Sequence, residues 1–353
     1  MSFNPHIPIQ NIYYMLSYAF QVLQEEGYKK LGMEEFDNAD NLFAKILING
    51  VTSQIKRGLV REYLSCREDL FAVKGKIELT ETVKKNTLSR KKLVCNFDEF
   101  STNSYVNKII KTTLLALLDR DILLESKKKI RNLLLYFGNV AVLSTKDINW
   151  KIHYSRDNQT YRMLIFICYL VLNKFLQDPT KASHKVQDFS DRKMNTLYEK
   201  FILEYYRKHY PALCANASHV NWQLGPNDDS RSLPNMITDV TLNYGDNVLI
   251  IDAKYYTEAT QENYGVEKLR SANLYQIFTY VKNKSYEVPS ETVSGILLYA
   301  QTASMSSPLD HSFNMSGNKI SIKSLDLNCN FALIEEQLDR IAQEYFPSCS
   351  KKK

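Results

Sequence analysis

Met236-Ile-Thr-Asp-Val-Thr-Leu, Asn243-Tyr-Gly-Asp-Asn and Val248-Leu-Ile-Ile-Asp-Ala-Lys-Tyr-Tyr256 follow one another without a break. Val248 to Ile251 is a β-rich apolar run, and the Asn/Gly/Asp cluster before it supplies a turn, so the stretch reads as a β-hairpin. Asp239 falls on the first strand. Asp252 and Lys254 fall on the second, two apart, and therefore project from one face. A buried strand that ends in an acid and a base needs a reason for both charges, because unpaired buried ions are costly. A divalent cation held by two carboxylates beside a lysine supplies that reason. Magnesium prefers oxygen ligands, keeps several waters, and is held by one or two carboxylates plus substrate phosphate. Asp239 and Asp252 suit that role, with the backbone carbonyl of Ala253 as a further ligand. Lys254 would stabilise charge on a scissile phosphate and help position or deprotonate the attacking water. The chemistry expected is metal-dependent phosphodiester hydrolysis.

Two helical segments flank the hairpin. Glu267 to Lys282 reads as a helix with Gln276 and Tyr280 at i and i+4 on one face. Met194 to Tyr206 is amphipathic, with Leu197, Tyr198, Phe201, Ile202 and Tyr205 on its apolar side and Glu199 off it. Asp-x12-Asp-x-Lys matches the PD-(D/E)xK nuclease signature, and Gln-x-x-x-Tyr resembles the accessory motif of RecB-like nucleases. Glu199 sits where several members of that fold carry an acid supporting the metal. The order helix, hairpin, helix, then a strand at Ser294 to Ala300, is similar to the αβββαβ core of the fold. Each residue alone has a plainer reading: a turn aspartate, a surface lysine, a packed glutamine and tyrosine, a glutamate on a helix's polar face. Their order on these elements favours the site.

The chain has 353 residues, enough for two domains with separate cores. Its net charge of +6 is compatible with a phosphate-rich partner without demonstrating one, and the 23 tyrosines suit stacking or ordinary packing equally. Six cysteines stand singly with no Cys-x-x-Cys pair, which argues against a structural zinc and a disulfide framework. The opening residues lack the pattern of a secretory signal, and Met163 to Leu172 is too short to span a bilayer. A soluble, cytoplasmic protein without membrane contact is expected. The Leu224-Gly-Pro-Asn-Asp-Asp-Ser230 loop lacks the Gly-Lys-Ser/Thr ending of a P-loop, so this chain is not expected to bind nucleotide itself.

Along the chain, Asn11 to Leu23 reads as an apolar helix, and Asp40 to Arg57 as a second with Asp40 at its N-cap and Gly58 as its stop. Leu59 to Glu78 turns β-like. Lys84, Lys85, Arg90, Lys91 and Lys92 form a basic run, read as a solvated hairpin face. Asn103 to Leu124 and Lys127 to Phe137 are helical. Asp147 to Thr160 is polar and mixed, which places a boundary near residue 155, with the helix Tyr161 to Leu176 opening the second domain. The fold class is thus α/β: residues 1–155 an α+β domain, residues 156–353 the nuclease core. His153, His184 and His219 are isolated, without ligand spacing, and Lys351 to Lys353 reads as a disordered tail.

The chain as a whole resembles the McrC family, the nuclease subunit of the McrBC modification-dependent (5-methylcytosine) restriction system. The resemblance covers nearly the full length. It is most specific in Ile7-Pro-Ile-Gln-Asn-Ile-Tyr-Tyr-Met-Leu-Ser-Tyr-Ala-Phe20, Lys74-Gly-Lys-Ile-Glu78, Thr238-Asp-Val-Thr, Ile251-Asp-Ala-Lys-Tyr-Tyr256 and Asn273-Leu-Tyr-Gln-Ile-Phe-Thr-Tyr280. Family members often carry Arg where this chain has Gln10. The resemblance implies an McrB-like AAA+ GTPase hexamer as partner, which reads methylated cytosine through its own domain. It implies that the N-terminal region, residues 1–155, enters the ring and stimulates GTP hydrolysis, with Lys84 to Lys92 on a β-rich protrusion touching it. It further implies that the C-terminal region cuts methylated double-stranded DNA with Mg2+, making the chain a type IV restriction endonuclease subunit. A stand-alone repair or restriction nuclease is the alternative reading, and a regulator with a decayed site is the third.

Overall fold

The computed structural model describes residues 7–24, 28, 31, 34, 36–154, 160–175, 184–255, 260–263, 266–301 and 307–352. The chain divides into two units, Asp37–Phe175 and Met1–Phe36 with Leu176–Lys353. The division differs from the boundary expected near residue 155, for reasons that lie in the packing of helix α1 (Ile9–Ala19) and of the helix Tyr161–Phe175. Helix α1 belongs to the second unit and is taken up with it.

In the unit Asp37–Phe175, α2 (Ala39–Arg57) starts one step earlier than expected. Asn38 is the cap, its side chain accepting from Asn41 N at 2.8 Å, while Asp40 lies in the first turn. An acid there still favours the positive end of the helix dipole. Gly58 ends the helix at φ +90°, a conformation open to glycine. Strands β1 (Glu62–Leu70), β2 (Lys76–Ile77) and β3 (Leu93–Ser101) form an antiparallel sheet in the order β1-β3-β2. The basic run expected on a hairpin face instead occupies α3 (Leu79–Lys84) and the 3-10 turn Thr87–Arg90, with Asn86 and Lys91 left-handed. Buried Thr82 explains this: its hydroxyl accepts from Val94 N at 3.0 Å and fastens α3 to β3.

Ser104 caps α4 (Tyr105–Leu118), which is followed by α5 (Leu124–Leu134) and α6 (Tyr161–Phe175). Helix α6 packs on α2 and α4, and the Tyr161 hydroxyl accepts from Val60 N at 3.0 Å. The apolar helix therefore closes this unit rather than opening the next. Arg156 and Asp157, in the segment expected as a linker, lie outside the described residues.

The second unit contains α7 (His184–His209), the short antiparallel pair β4 (His219–Val220) and β5 (Met236–Ile237), and the hairpin β6 (Val240–Tyr244) and β7 (Asn247–Lys254). Gly245 and Asp246 make the two-residue turn, with Gly245 at φ +57°. Strands β8 (Thr260–Asn263) and β9 (Val266–Leu269) pair with each other, so α8 (Ser271–Glu287) begins at Ser271 and not at Glu267. Strands β10 (Thr292–Ala300), β11 (Asp310–Met315) and β12 (Asn318–Leu325), then α9 (Phe331–Tyr345), complete the unit.

Its main sheet runs β11-β12-β10-β7-β6, with β7, β10 and β12 parallel and the two edge strands antiparallel. The succession α7, β6-β7, α8, β10 is the expected mixed α/β nuclease core, its first strand reduced to β4 and a bridge between Asn216 and Thr241. Helix α8 lays Ile277, Tyr280 and Val281 on Val248, Ile250, Val293 and Leu297. A Cβ on Gly295 would stand 2.7 Å from Val281 Cγ2 and 2.9 Å from Ile277 Cγ1, so the helix sits this close because the strand is bare there.

Helix α1 packs on α7, and Tyr14 stacks on Phe331 at 4.4 Å. Asn11 Nδ2 donates to the carbonyls of Leu327 and Cys329, both at 2.8 Å. The opening motif is thus structural cement for the second unit. The expected free tail is also tied down: Lys351 Nζ donates to Asp339 Oδ2 at 2.8 Å, and Lys352 N to His209 O at 2.7 Å. Lys353 lies outside the described residues.

Replacing Gly295 by Val should lower stability by about 1–3 kcal/mol, the usual cost of overpacking. Urea unfolding followed by far-UV circular dichroism checks this, and an unchanged midpoint would show that α8 is free to move outward.

Candidate active site

The hairpin register determines where the acids meet. Val240 pairs with Ile251, so Asp239, at the bend just before β6, stands one step further on, level with Asp252. Asp239 is not inside the strand as expected. Its Oδ2 accepts from Ala253 N at 2.9 Å, which holds the carboxylate against the end of β7. The bend is clamped by three hydroxyls: Ser218 Oγ donates to Thr241 Oγ1 at 2.6 Å, and Thr238 Oγ1 lies 2.8 Å from Thr241 Oγ1. The flanking threonines were visible in the motif, whereas Ser218, 20 residues upstream of Thr238, carried no local signal.

β7 is buried from Val248 to Lys254. Asp252 is 1% exposed, and Lys254 Nζ lies 2.8 Å from its Oδ2 and 4.0 Å from Asp239 Oδ2. The 2.8 Å approach is an ion-pair contact without hydrogen-bond alignment, so neither Asp252 oxygen has an aligned donor among the described residues. Burial pushes the Asp252 carboxyl up to about 7, against the pull of Lys254. Burial raises Asp239 as well.

Glu199 on α7 joins this group. Burial first, then the charge of Asp239, pushes its carboxyl up to about 8, and Lys254 and Asp252 also act on it. Its Oε1 accepts from Asn195 Nδ2, and Asn195 Oδ1 accepts from Tyr255 N at 2.7 Å. Asn195 was not foreseen. The available signal was weak: an amide inside a helix, where its side chain competes with the backbone, needs a partner.

Gln276 Nε2 donates to Tyr280 Oη at 2.9 Å, and Tyr280 belongs to the core cluster that covers the Asp252 face of the sheet. Among the described residues this pair bonds internally rather than to Asp239 or Asp252. His219 is exposed, and the side chain of His184 lies outside the described residues.

Ionised, Asp239, Asp252 and Glu199 set three negative charges against the one positive charge of Lys254, an excess of two. A divalent cation balances that excess, and buried oxygens without donors are what such an ion requires. Among the described residues no three His, Cys, Asp or Glu side chains form a ready cage. The donors instead fit an ion held by two carboxylates, with Glu199 beside them.

The family model described as "McrBC 5-methylcytosine restriction system component" matches residues 8–300, and the chain belongs to that family. The type IV methyl-directed restriction enzyme EcoKMcrBC of Escherichia coli K12 is 28% identical over 347 residues, 97% of this chain and 99% of that protein. A half-complex from a tetradecameric assembly of Thermococcus gammatolerans McrB AAA+ hexamers with bound McrC is similar over 96% of this chain and 76% of its own. The identity there is 16% and the TM-score 0.45. The cryo-EM structure of the T. gammatolerans McrBC complex is similar over 57% of this chain and 58% of its own, at 18% identity and TM-score 0.38. Among the described residues no helix is long and apolar enough to cross a membrane.

Lys254→Met in metal-free buffer should cost about 3–5 kcal/mol, because it strands a buried carboxylate. The double variant Asp252→Leu/Lys254→Met should recover most of that loss. Urea titration in EDTA measures both, and a double variant no better than the single would mean the pair is not coupled.

Proposed function

We propose that this chain is the DNA-cutting subunit of a cytoplasmic, GTP-dependent restriction complex, a Mg2+-dependent endonuclease acting on methylcytosine-containing double-stranded DNA. The observation that carries the reading is the convergence of Asp239, Asp252, Lys254 and Glu199 on the buried end of β7. Membership of the family supports it independently.

Asp239 and Asp252 hold the cation, with the Ala253 carbonyl and Glu199 as supporting donors. When bound, the cation supplies Lewis-acid stabilisation of a phosphate and lowers the cost of forming hydroxide near neutral pH. Lys254, kept beside both aspartates, presents its ammonium to the scissile phosphate and stabilises negative charge as it develops. Burial makes that charge effective, since low-dielectric surroundings strengthen it. Tyr280, fixed in the core under the same sheet face, holds the Gln276 amide next to the substrate side of α8.

The partner is an McrB-like AAA+ GTPase hexamer, and Asp37–Phe175 is the unit that engages it. In support, Tyr63 and Phe100 face each other at one end of the β1-β3 pair, while Phe71, just past β1, and Leu79 and Val83 of α3 lie toward the other, all 53–75% exposed. Large apolar side chains exposed in this number on one small unit mark protein-binding surfaces. The basic residues Lys84 to Lys92 border the Phe71 end, where Lys92 Nζ lies 4.6 Å from that aromatic centroid, and suit an acidic rim on the hexamer.

With the partner, GTP and Mg2+, Asp239→Asn and Asp252→Asn should each abolish cutting of methylated plasmid while GTPase stimulation persists. Loss of stimulation in both would make these acids structural. Lys254→Ala should lower turnover by about 100-fold or more with little change in DNA affinity. Conversely, Tyr63→Asp with Phe100→Asp should abolish stimulation, and full GTPase stimulation by that variant would remove the sheet from the partner contact.

A further inference from the structure

Asn195 lies in α7, four residues before Glu199, and its side chain has two bonds that fix its orientation. The backbone N–H of Tyr255 can only donate, and it points at Asn195 Oδ1 at 2.7 Å. The other end of the amide must then be the NH2 group, and that end meets Glu199 Oε1. One planar group therefore connects the first residue after β7, next to Lys254, with the acid that interacts with Asp239, Asp252 and Lys254. The distance between strand end and Glu199 is set by the width of an amide.

We infer that Asn195 is a positioning residue for the metal site: through its NH2 group it holds the Glu199 carboxylate toward Asp239 and Asp252. The inference rests on the nuclease reading above and adds a residue to it. Glu199 is on α7 and the two aspartates are on the hairpin, and α7 packs on both β7 and β6. A carboxylate on a side chain as flexible as glutamate's needs such a partner to stay aimed at a cation. Outer partners of this kind typically change metal affinity or activity about 10–100-fold when lost. They leave the chemical groups themselves in place, so the effect falls on the cation concentration needed rather than on the limiting rate.

Asn195→Asp separates the two bonds. A carboxylate still accepts from Tyr255 N–H but has nothing to donate to Glu199 and repels it. The test measures cutting of methylated plasmid across a Mg2+ titration by the full chain with its AAA+ partner and GTP. Asn195→Asp and Glu199→Gln should each raise the half-saturating Mg2+ by about tenfold, with the rate at saturation largely restored. The double variant should be no worse than Glu199→Gln alone, because Asn195 acts only through the carboxylate that this substitution removes. Thermal midpoints in EDTA should stay close to wild type for Asn195→Asp.

Unchanged Mg2+ dependence in Asn195→Asp beside a shifted Glu199→Gln would reduce Asn195 to a tie between helix and strand and overturn the inference. Fully additive effects would overturn it too. If Asn195→Asp fails to fold, Asn195→Ala in the same cycle with Glu199→Gln decides by the same criterion. Should the wild type cut nothing, the nuclease reading fails, and the Mn2+-induced rise in thermal midpoint becomes the readout. A rise in wild type that Asn195→Asp loses sustains the inference without it, and no rise in wild type ends both.

Discussion

Strand β7 is buried from Val248 onward and ends in an aspartate and a lysine that are almost wholly withdrawn from water. Most of the second unit can be understood as the surroundings that this ending requires. Charges at such a position persist only with partners close by. Lys254 answers Asp252, the Ala253 amide answers Asp239, and α7 brings Glu199 with an amide already attached. The hydroxyls of Ser218, Thr238 and Thr241 hold the bend that delivers Asp239, and Gly295 lets α8 close over the apolar part of the same face. The site is costly to the fold, which is the usual mark of residues kept for chemistry.

The hairpin and its three charged groups were legible because each signal was local. A β-rich run, a turn with glycine at the left-handed position and an i, i+2 spacing of Asp252 and Lys254 need no knowledge of distant chain. The helix stop at Gly58 was legible for the same reason. The end of the strand preceding Asp239 was not, since a ladder stops where its neighbour stops. The start of α8 was misplaced by four residues because Val266–Leu269 takes a strand partner, a choice that pairing makes and propensity does not. The basic run was placed on a hairpin face because charge patterning is blind to Thr82, whose single bond to Val94 turns that segment into a helix.

The division of the chain was the least legible feature. A polar stretch before Tyr161 looked like a linker, and composition supports that reading. What decides membership is contact: Tyr161 reaches Val60, and Asn11 reaches Leu327 and Cys329, residues no local pattern connects. The conspicuous opening motif, with its tyrosines and its asparagine, thereby finds its explanation in packing on α7 and α9.

That packing has an effect on the order of folding. Asn11 and Leu327 are separated by 316 positions in sequence. At typical synthesis rates α1 emerges on the order of tens of seconds before α9 exists. The unit Asp37–Phe175 draws on one continuous stretch and can fold during that interval. The unit with the acidic site has its first helix waiting and its last helix unmade, a long-range closure of the kind that slows folding. A ribosome-bound or prematurely ended chain therefore carries a finished Asp37–Phe175 body beside an unfinished sheet unit, and the buried charges at the end of β7 are enclosed last.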